Sequence, residues 1–399
     1  MSDTTTTNRT VDIDSPDALV NLVRDCLGQQ TPIVNYGVGH RDLGYPPPAD
    51  HVKLVQRGGV IEHYQRDFTV RAAAGITVGD LQKALGPTGQ FAPVDADDDI
   101  TLGEVIDHNV YGPLRVQYGA MRDLLLGLHY VDGQGRDIHV GGRTVKNVAG
   151  YDVTRFMCGG LGEYGVVHEA TMRTYAVPAA VELVTLKLDD VAWIDEQLAP
   201  WLLTPAAPAA LSLDLDGGSA GIELAYIGTA RGCQTQLDAL KVWLGDEKPP
   251  ATIESNQSAD LDAYVQRQTS QRAWRRDAPA VVKIVVQSAR TAATCARLAD
   301  LFGQSAPLTI NALPVHGCIF AGGRLDASQA VALDAAIRET LPAGEGFRVW
   351  YRRPTEDIEP FAPAQPEWPT LLKLKHTMDP HRLFNPGRFI ETATEKQST

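Results

Sequence analysis

The sequence predicts an α+β fold built in two parts, and three observations carry that prediction. Segments with a two-residue apolar period, such as 68–74 and Val166–Arg173, alternate with segments of helical spacing and with glycine-rich turns. After Pro178 the order strand, helix, strand, strand, helix occurs twice, which reads as a duplicated antiparallel sheet with helices on one face. The chain's 399 residues, 44% hydrophobic and 21% charged, suffice for two or three domains with their own cores.

In the first half, Ser15-Pro16-Asp17 supplies a capping hydroxyl, a first-turn proline and an acid at the positive end of a helix. Leu19, Leu22, Val23, Cys26 and Leu27 follow at helical spacing, and Gly28 ends it. A strand over 32–36 runs into Gly37, Val38, Gly39, His40 and Arg41. Gly-x-Gly after a strand suits a nest of backbone N–H groups around a phosphate. Beyond the strand at 68–74, Thr77-x-x-Asp80 opens a helix carrying Val78, Leu81 and Leu85. Pro93 precedes a stretch over 101–123 that reads as a loop and holds Thr101, Leu102, Gly103, Asn109, Gly112 and Gly119. A hairpin over 125–140 turns at Asp132-Gly133-Gln134-Gly135. It leads to a loop with Lys146, Asn147, Gly150, Tyr151, Asp152 and Arg155. There, glycines let backbone approach a flat ligand and polar groups can meet its edges. Composition alone fits an ordinary connection as readily.

In the second half, strands are expected over 181–188, 210–215, 221–227, 281–288, 308–313, 315–321 and 347–351. Helices are expected over 190–203, 231–244, 291–302 and from Asp326 to Leu341. The segment 258–277 sets Tyr264 and Trp274 among Arg267, Arg272, Arg275 and Arg276. Arg272 and Arg275 are candidates for gripping a carboxylate; a solvated helix end or a docking surface would use arginines equally well. His316 is a candidate base, although its place in an apolar strand also suits a core residue. Residues 352–368 read as a proline-rich linker, 370–378 as a helix, and 391–399 as a disordered tail.

The formal charge of −13 repels phosphate backbones, so nucleic acid is not an expected partner, and an acidic substrate would need local cations. The N-terminal MSDTTTTNRT has no signal-peptide character, and no run of about 18 apolar residues is present to span a bilayer. Cys26, Cys158, Cys233, Cys295 and Cys318 include no CxxC pair, which argues for free thiols and against zinc or an iron–sulfur cluster in this chain.

Three stretches share a wording. KNVAGYDVTRFM with GGLGEYGVVHEATMR, the TLGE…GPLR…YG segment, and DPHRLFNPGR together resemble the flavoproteins of the vanillyl-alcohol oxidase/PCMH superfamily. The resemblance is greatest to the group containing bacterial glycolate oxidase flavin subunits and D-lactate dehydrogenases. It implies a PCMH-type, two-subdomain FAD-binding domain over 11–178 and a cap domain over 179–351 with a ferredoxin-like antiparallel sheet, duplicated. A linker, helix and return to the FAD domain over 352–390 would follow, then a tail over 391–399. It further implies noncovalent FAD held by Gly37, Val38, Gly39, His40, Arg41, Pro93, Thr101, Leu102, Gly103, Asn109, Gly112, Gly119, Asn147, Gly150, Tyr151, Gly162, Val166, Val167, Asn385 and Arg388. His40 lacks the R-x-G-G-H context of a covalent link, and Arg388 would lie by the anionic edge of a reduced flavin. Glu104 stands where the family has a second glycine, and an acid beside a pyrophosphate costs Coulomb energy unless it points away or is paired.

The implied activity is oxidation of a glycolate-like 2-hydroxy acid, with hydride passing to the flavin. Electrons would then pass to an iron–sulfur subunit, with a paralogous flavin subunit alongside, in the cytoplasm or peripheral to the inner membrane through those partners. The family's histidine motif is not matched, which leaves His316, Arg272 and Arg275 as the only catalytic candidates and no metal expected. A stand-alone flavin dehydrogenase and a non-catalytic assembly subunit are the alternatives.

Overall fold

The computed structural model describes residues 9–35, 43–143, 152–216, 219–247, 251–302, 308–341 and 346–397, and the chain falls into two units. Met1–Tyr111, Tyr118–Val177 and Pro366–Thr399 form the first; Gly112–Gln117 and Pro178–Gln365 form the second.

The first unit begins with β1 (Arg9–Ile13), α1 (Pro16–Gln29), β2 (Ile33–Asn35) and β3 (Val52–Gln56). The strands pair in parallel in the order β1-β3-β2. Ser15 Oγ accepts the Ala18 N–H, which starts α1 so that Leu19, Val23 and Cys26 pack on Ile33 and Leu54. There follow β4 (Val60–Tyr64), β5 (Thr69–Ala73), α2 (Val78–Leu85), β6 (Gln90–Phe91), α3 (Leu102–Asp107), α4 (Arg115–Tyr118) and α5 (Met121–Leu124). Then come β7 (Leu125–Val131), β8 (Asp137–Gly141), α6 (Val153–Met157), β9 (Val166–Arg173) and β10 (Tyr175–Ala176).

Among the described residues these make a five-stranded antiparallel sheet, β4-β5-β9-β7-β8, and a two-stranded one, β10-β6. Val70, Ala72, Leu128, Ala170 and Met172 pack against Leu81, Leu85, Leu102 and Val105 in one core. Burial of each large side chain among them contributes about 1.5–3 kcal/mol. The stretch 101–123, read as a loop, instead carries three short helical segments. Thr101 Oγ1 accepts the Glu104 N–H to begin α3, a local cap that overrides the glycine-rich composition.

The second unit runs β11 (Ala180–Leu188), α7 (Trp193–Leu202), β12 (Ala210–Asp216), β13 (Ser219–Gly228), α8 (Ala230–Glu247), β14 (Ala251–Ala259), α9 (Leu261–Arg272) and α10 (Trp274–Asp277). It continues with β15 (Ala280–Val286), α11 (Thr291–Phe302), β16 (Thr309–Leu313), β17 (Cys318–Gly323), α12 (Ala327–Thr340), β18 (Gly346–Arg352) and β19 (Phe361–Ala362). The sheet order among the described residues is β14-β11-β13-β12-β16-β17-β15-β18-β19. Outward from the antiparallel β12–β16 pair, the two halves repeat the same βαββαβ course, so the duplication is present with one more strand per copy than the two units read from sequence. Leu211, Leu213, Leu215, Ile310, Ala312, Ile319 and Ala321 face the helices in one core. Their odd-even neighbours face the other side, as the pleat requires.

Three expectations are corrected here. His316 does not lie in a strand: Pro314–His316 is a 3-10 turn closed by Gly317 at φ +62, where a Cβ would meet Val286 O at 1.9 Å. β14 goes unseen in sequence because this edge strand is largely exposed and polar, and so lacks an apolar period. Part of the expected linker joins the sheet, since β19 pairs with Arg348 and Val349 and the Trp350 N–H donates to Pro360 O at 2.8 Å.

The chain then rejoins the first unit through α13 (Trp368–Met378) and ends in α14 (Ile390–Gln397). The expected disordered tail is therefore mostly helix. Glu391 anchors it, buried and accepting from the Gly387 N–H and the Arg382 guanidinium.

Candidate functional site

In the first unit four segments distant in sequence converge. Asn35, which ends β2, donates from Nδ2 to Asp107 Oδ2 at 2.9 Å. The backbone carbonyls of Ile106 and Asp107 accept the N–H groups of Gly159 and Leu161, each at 2.8 Å, which seats the G-G-L-G turn on the end of α3. Gly162 takes φ +65, and a Cβ there would stand 3.1 Å from Asn385 Nδ2 and 3.4 Å from Asp107 Oδ2. Asn385 donates its own amide to Leu161 O at 3.1 Å and Gly162 O at 3.2 Å, and its backbone N–H to Ile33 O at 2.9 Å. Its Oδ1 is buried with no hydrogen-bond partner. Burial pushes the Asp107 carboxyl up to about 7; the Asn35 bond opposes this and Glu104 adds to it. The site is thus less anionic near neutral pH than its two acids suggest.

The convergence is locked by α13. Lys375 Nζ donates to Glu163 O at 2.7 Å, Phe384 O at 2.7 Å and Asp379 Oδ2 at 2.6 Å. Asp379 in turn accepts the Leu383 and Phe384 N–H groups, each at 2.9 Å. Gly133 presses so closely that a Cβ would lie 2.4 Å from Asp379 Oδ1.

Of the residues singled out in sequence, Gly37, Val38, Gly39, His40, Arg41, Asn147, Gly150 and Tyr151 lie outside the described residues. Gly162 and Asn385 are brought together as described. Thr101 is a helix cap. The N–H groups of Leu102 and Gly103 are committed to Ile76 O and Ala74 O at 2.8 and 2.7 Å. Pro93 is buried. Asn109 takes φ 46 and accepts from Cys158 Sγ at 3.5 Å. Gly112 belongs to the second unit, and Gly119 takes φ +82 against Asp123. Val166 and Val167 point into two different cores, so their side chains are occupied by packing. Arg388 is buried, stacks on the Phe389 ring at 5.2 Å and donates from Nη2 to Leu43 O at 2.8 Å. It anchors the chain just past 36–42 rather than standing open to a ligand. Asn35, Asp107, Lys375 and Asp379 were not singled out. The local signals are the i,i+4 spacing of Lys375 and Asp379 and the place of Asp379 as the first residue of the DPHRLFNPGR stretch.

In the second unit, His316 is pushed down to about 4 by burial and by Arg115, so it is neutral at pH 7 and a weak base. Arg267 is taken up by Glu223, which also accepts from Gln268 and Gln271. Arg275 donates to Asn311 Oδ1 and lies over the Phe320 ring at 3.8 Å. Among the described residues no group of three or more His, Cys, Asp or Glu could hold a metal ion, and no helix is long and apolar enough to cross a membrane.

Residues 8–158 match the FAD binding domain family. This part of the chain is an FAD-binding domain of the PCMH type. Glycolate oxidase subunit GlcE of Escherichia coli (strain K12) is 28% identical over 53% of this chain and 63% of its own length. A probable mitochondrial D-lactate dehydrogenase of Danio rerio is 31% identical over 40% of this chain and 33% of its own. The matches thus span less than two thirds of either relative. Alkyldihydroxyacetonephosphate synthase, at 16% identity and TM-score 0.71, covers 95% of this chain and 77% of that one, a likeness of fold. The described part of the FAD-binding domain fits its cofactor. Asn385 offers a buried acceptor without a donor, Gly162 leaves room that a side chain would fill, and burial keeps Asp107 from adding a full negative charge.

Proposed function

We propose that this chain is the FAD-carrying subunit of an oxidoreductase that oxidises a small 2-hydroxy acid such as glycolate. The observation that carries the reading is the convergence of Asn35, Asp107, Gly162 and Asn385 inside a domain that matches an FAD-binding family. The names of its relatives, glycolate oxidase subunits and D-lactate dehydrogenases, support the substrate class.

FAD, when bound, supplies a two-electron acceptor for the substrate hydride. Gly37, Val38, Gly39 and Arg41 would hold its pyrophosphate, with Thr101 to Gly103 shaping the second wall. Asn147, Gly150, Tyr151, Gly162 and Asn385 would meet its flat edges. His40 would contact the cofactor without a covalent bond. Asn109, Gly112 and Gly119 would shape the chain around it. Lys375 and Asp379 would position Asn385 without touching it. His316 is too weak a base to be given the proton-abstracting role, and no other residue is given it. A paralogous flavin subunit and an iron–sulfur subunit would complete the electron path, in the cytoplasm or at the inner membrane.

A second reading, a non-catalytic assembly subunit with the same fold, is favoured by the low basicity of His316. Purification decides between them. A yellow protein whose absorbance bleaches with glycolate supports the first reading; a protein that binds FAD yet never bleaches, alone or with its partners, supports the second. A protein that binds no FAD at all would sink both. Acid precipitation that releases all the flavin is expected, since no covalent link to His40 is proposed.

A further inference from the structure

The sheet face of the second unit on which α9 and α10 lie, turned away from the unit's core, carries a row of mostly polar side chains across neighbouring strands, with Ser212, Glu223 and Asn311 buried. Ser212 pairs with Glu223, Asp214 with Asn311, Asn311 with Phe320, and Phe320 with Lys283 in the strand registers. Both acids in this row are hydrogen-bonded in place. Glu223 takes Arg267, Gln268 and Gln271, and Asp214 accepts from Asn311 Nδ2 at 2.5 Å.

Arg275 is different. Its guanidinium is half-buried, donates to the neutral Asn311 Oδ1, and rests on Phe320 at 3.8 Å with Trp274 at 5.9 Å. Its Nε has no hydrogen-bond partner, and among the described residues it forms no ion pair. Asn311 stands between Arg275 and Asp214, so the nearest acid spends an oxygen on an amide instead of on the arginine. Burial, then the like charge of Arg272, disfavours the charged form of Arg275, and the opposite charge of Asp214 favours it; Lys283 Nζ lies 5.9 Å from the Phe320 ring. A half-buried cation whose nearest acid is bound to an amide instead is only partly compensated, a cost that a bound anion would reduce.

The seat is also held rigidly. Arg352 donates to the carbonyls of Arg275 and Arg276, and to Ala278 O at 3.0 Å, which fixes α10 to β18. Phe320 and Tyr351, 6.0 Å apart with their planes at 50°, supply aromatic surface beside it. A planar guanidinium on an aromatic floor matches a planar carboxylate.

We propose that Arg275, on its Phe320 floor and oriented by Asn311, is the seat for a small carboxylate anion. This rests on the hydroxy-acid reading above for the class of anion.

The test is calorimetric titration of the purified full-length chain with oxalate, a planar dicarboxylate that cannot be oxidised at a hydroxyl-bearing carbon, alongside neutral glycolamide. Wild type should bind oxalate and bind glycolamide at least about tenfold more weakly, with oxalate affinity falling as salt rises. Arg275→Met should weaken oxalate about 30-fold or more, and Arg275→Lys should restore part of the loss. Flavin content, read from absorbance in the same preparations, should be unchanged in both variants. No oxalate binding by wild type, equal binding of glycolamide, or full affinity in Arg275→Met overturns the seat. The ligand pair needs no variant, so misfolding of Arg275→Met does not rescue the idea. Loss of the seat with flavin intact leaves the flavin reading standing. A chain without flavin that still binds oxalate through Arg275 leaves the seat standing.

Discussion

Lys375 Nζ lies 2.6 Å from Asp379 Oδ2, and both side chains are fully buried. The pair is satisfied on every side by backbone, through Glu163 O, Phe384 O and the N–H groups of Leu383 and Phe384. It ties α13, the G-G-L-G-E turn and the F-N-P-G-R turn into one piece.

Removing one partner leaves the other charged and buried. Lys375→Met should therefore cost about 3–5 kcal/mol of unfolding free energy, read from urea denaturation. A loss below about 1 kcal/mol would mean the pair is not the clamp described here.

Asp107 gives a dependence on pH. Its folded-state value is raised to about 7, above an ordinary unfolded aspartate near 4. The folded state therefore holds the proton more tightly, and the associated stability is full below about pH 4 and lost as pH rises towards 7 and beyond. Asp107→Asn should flatten this slope and gain stability at pH 8, by up to roughly 4 kcal/mol. Equal slopes for wild type and variant between pH 4 and 8 would rule the group out as their source.

Gly162→Ala should lower FAD content while leaving most of the fold intact. A Cβ at φ +65 would press on Asn385 Nδ2 at 3.1 Å, and the left-handed backbone adds about 1–2 kcal/mol of strain. The ratio of flavin to protein absorbance reads the effect; an unchanged ratio counts against Gly162 as part of the flavin wall.

On the five-stranded sheet, His129 stacks on His139 at 3.7 Å and sits edge-on to His168 at 5.9 Å. Burial, then the neighbouring His139, holds His129 below the ordinary histidine range. A depressed histidine favours the folded state while neutral, so its contribution falls as pH drops from about 6.5 through the lowered value. His129→Phe should reduce the loss of melting temperature between pH 7 and pH 5, seen by calorimetry on both proteins. An undiminished loss would assign it elsewhere.

What is legible in the sequence is local. Ser15, Thr77 and Asp326 each cap the N–H three residues on, and each is visible as a cap in sequence. The strand periods and the repeated element order are visible too, because one face of each sheet is buried. The edge strand β14 has no such face, and α14 depends on Glu391 finding Arg382 and Gly387. The candidate site is half legible: glycine turns announce themselves, whereas Asn35 meets Asp107 across 72 positions. Arg388 shows the limit of reading roles from type. Its charge suggests a ligand contact, and the fold uses it to hold the carbonyls of Leu43 and Tyr45.

The β12–β16 pair joins the two copies of the repeat, with Asp214 directly opposite Asn311 and Leu213 and Leu215 flanking as Ile310 and Ala312 do. Asp214 and Asn311 are therefore the middle of the three paired positions where the two copies meet. Two aspartates facing each other there would repel. With an amide on one side only, the centre gains a direction: Nδ2 turns to Asp214 and Oδ1 to Arg275. One amide thus stands between an acid of the sheet and a cation of the helix laid on it.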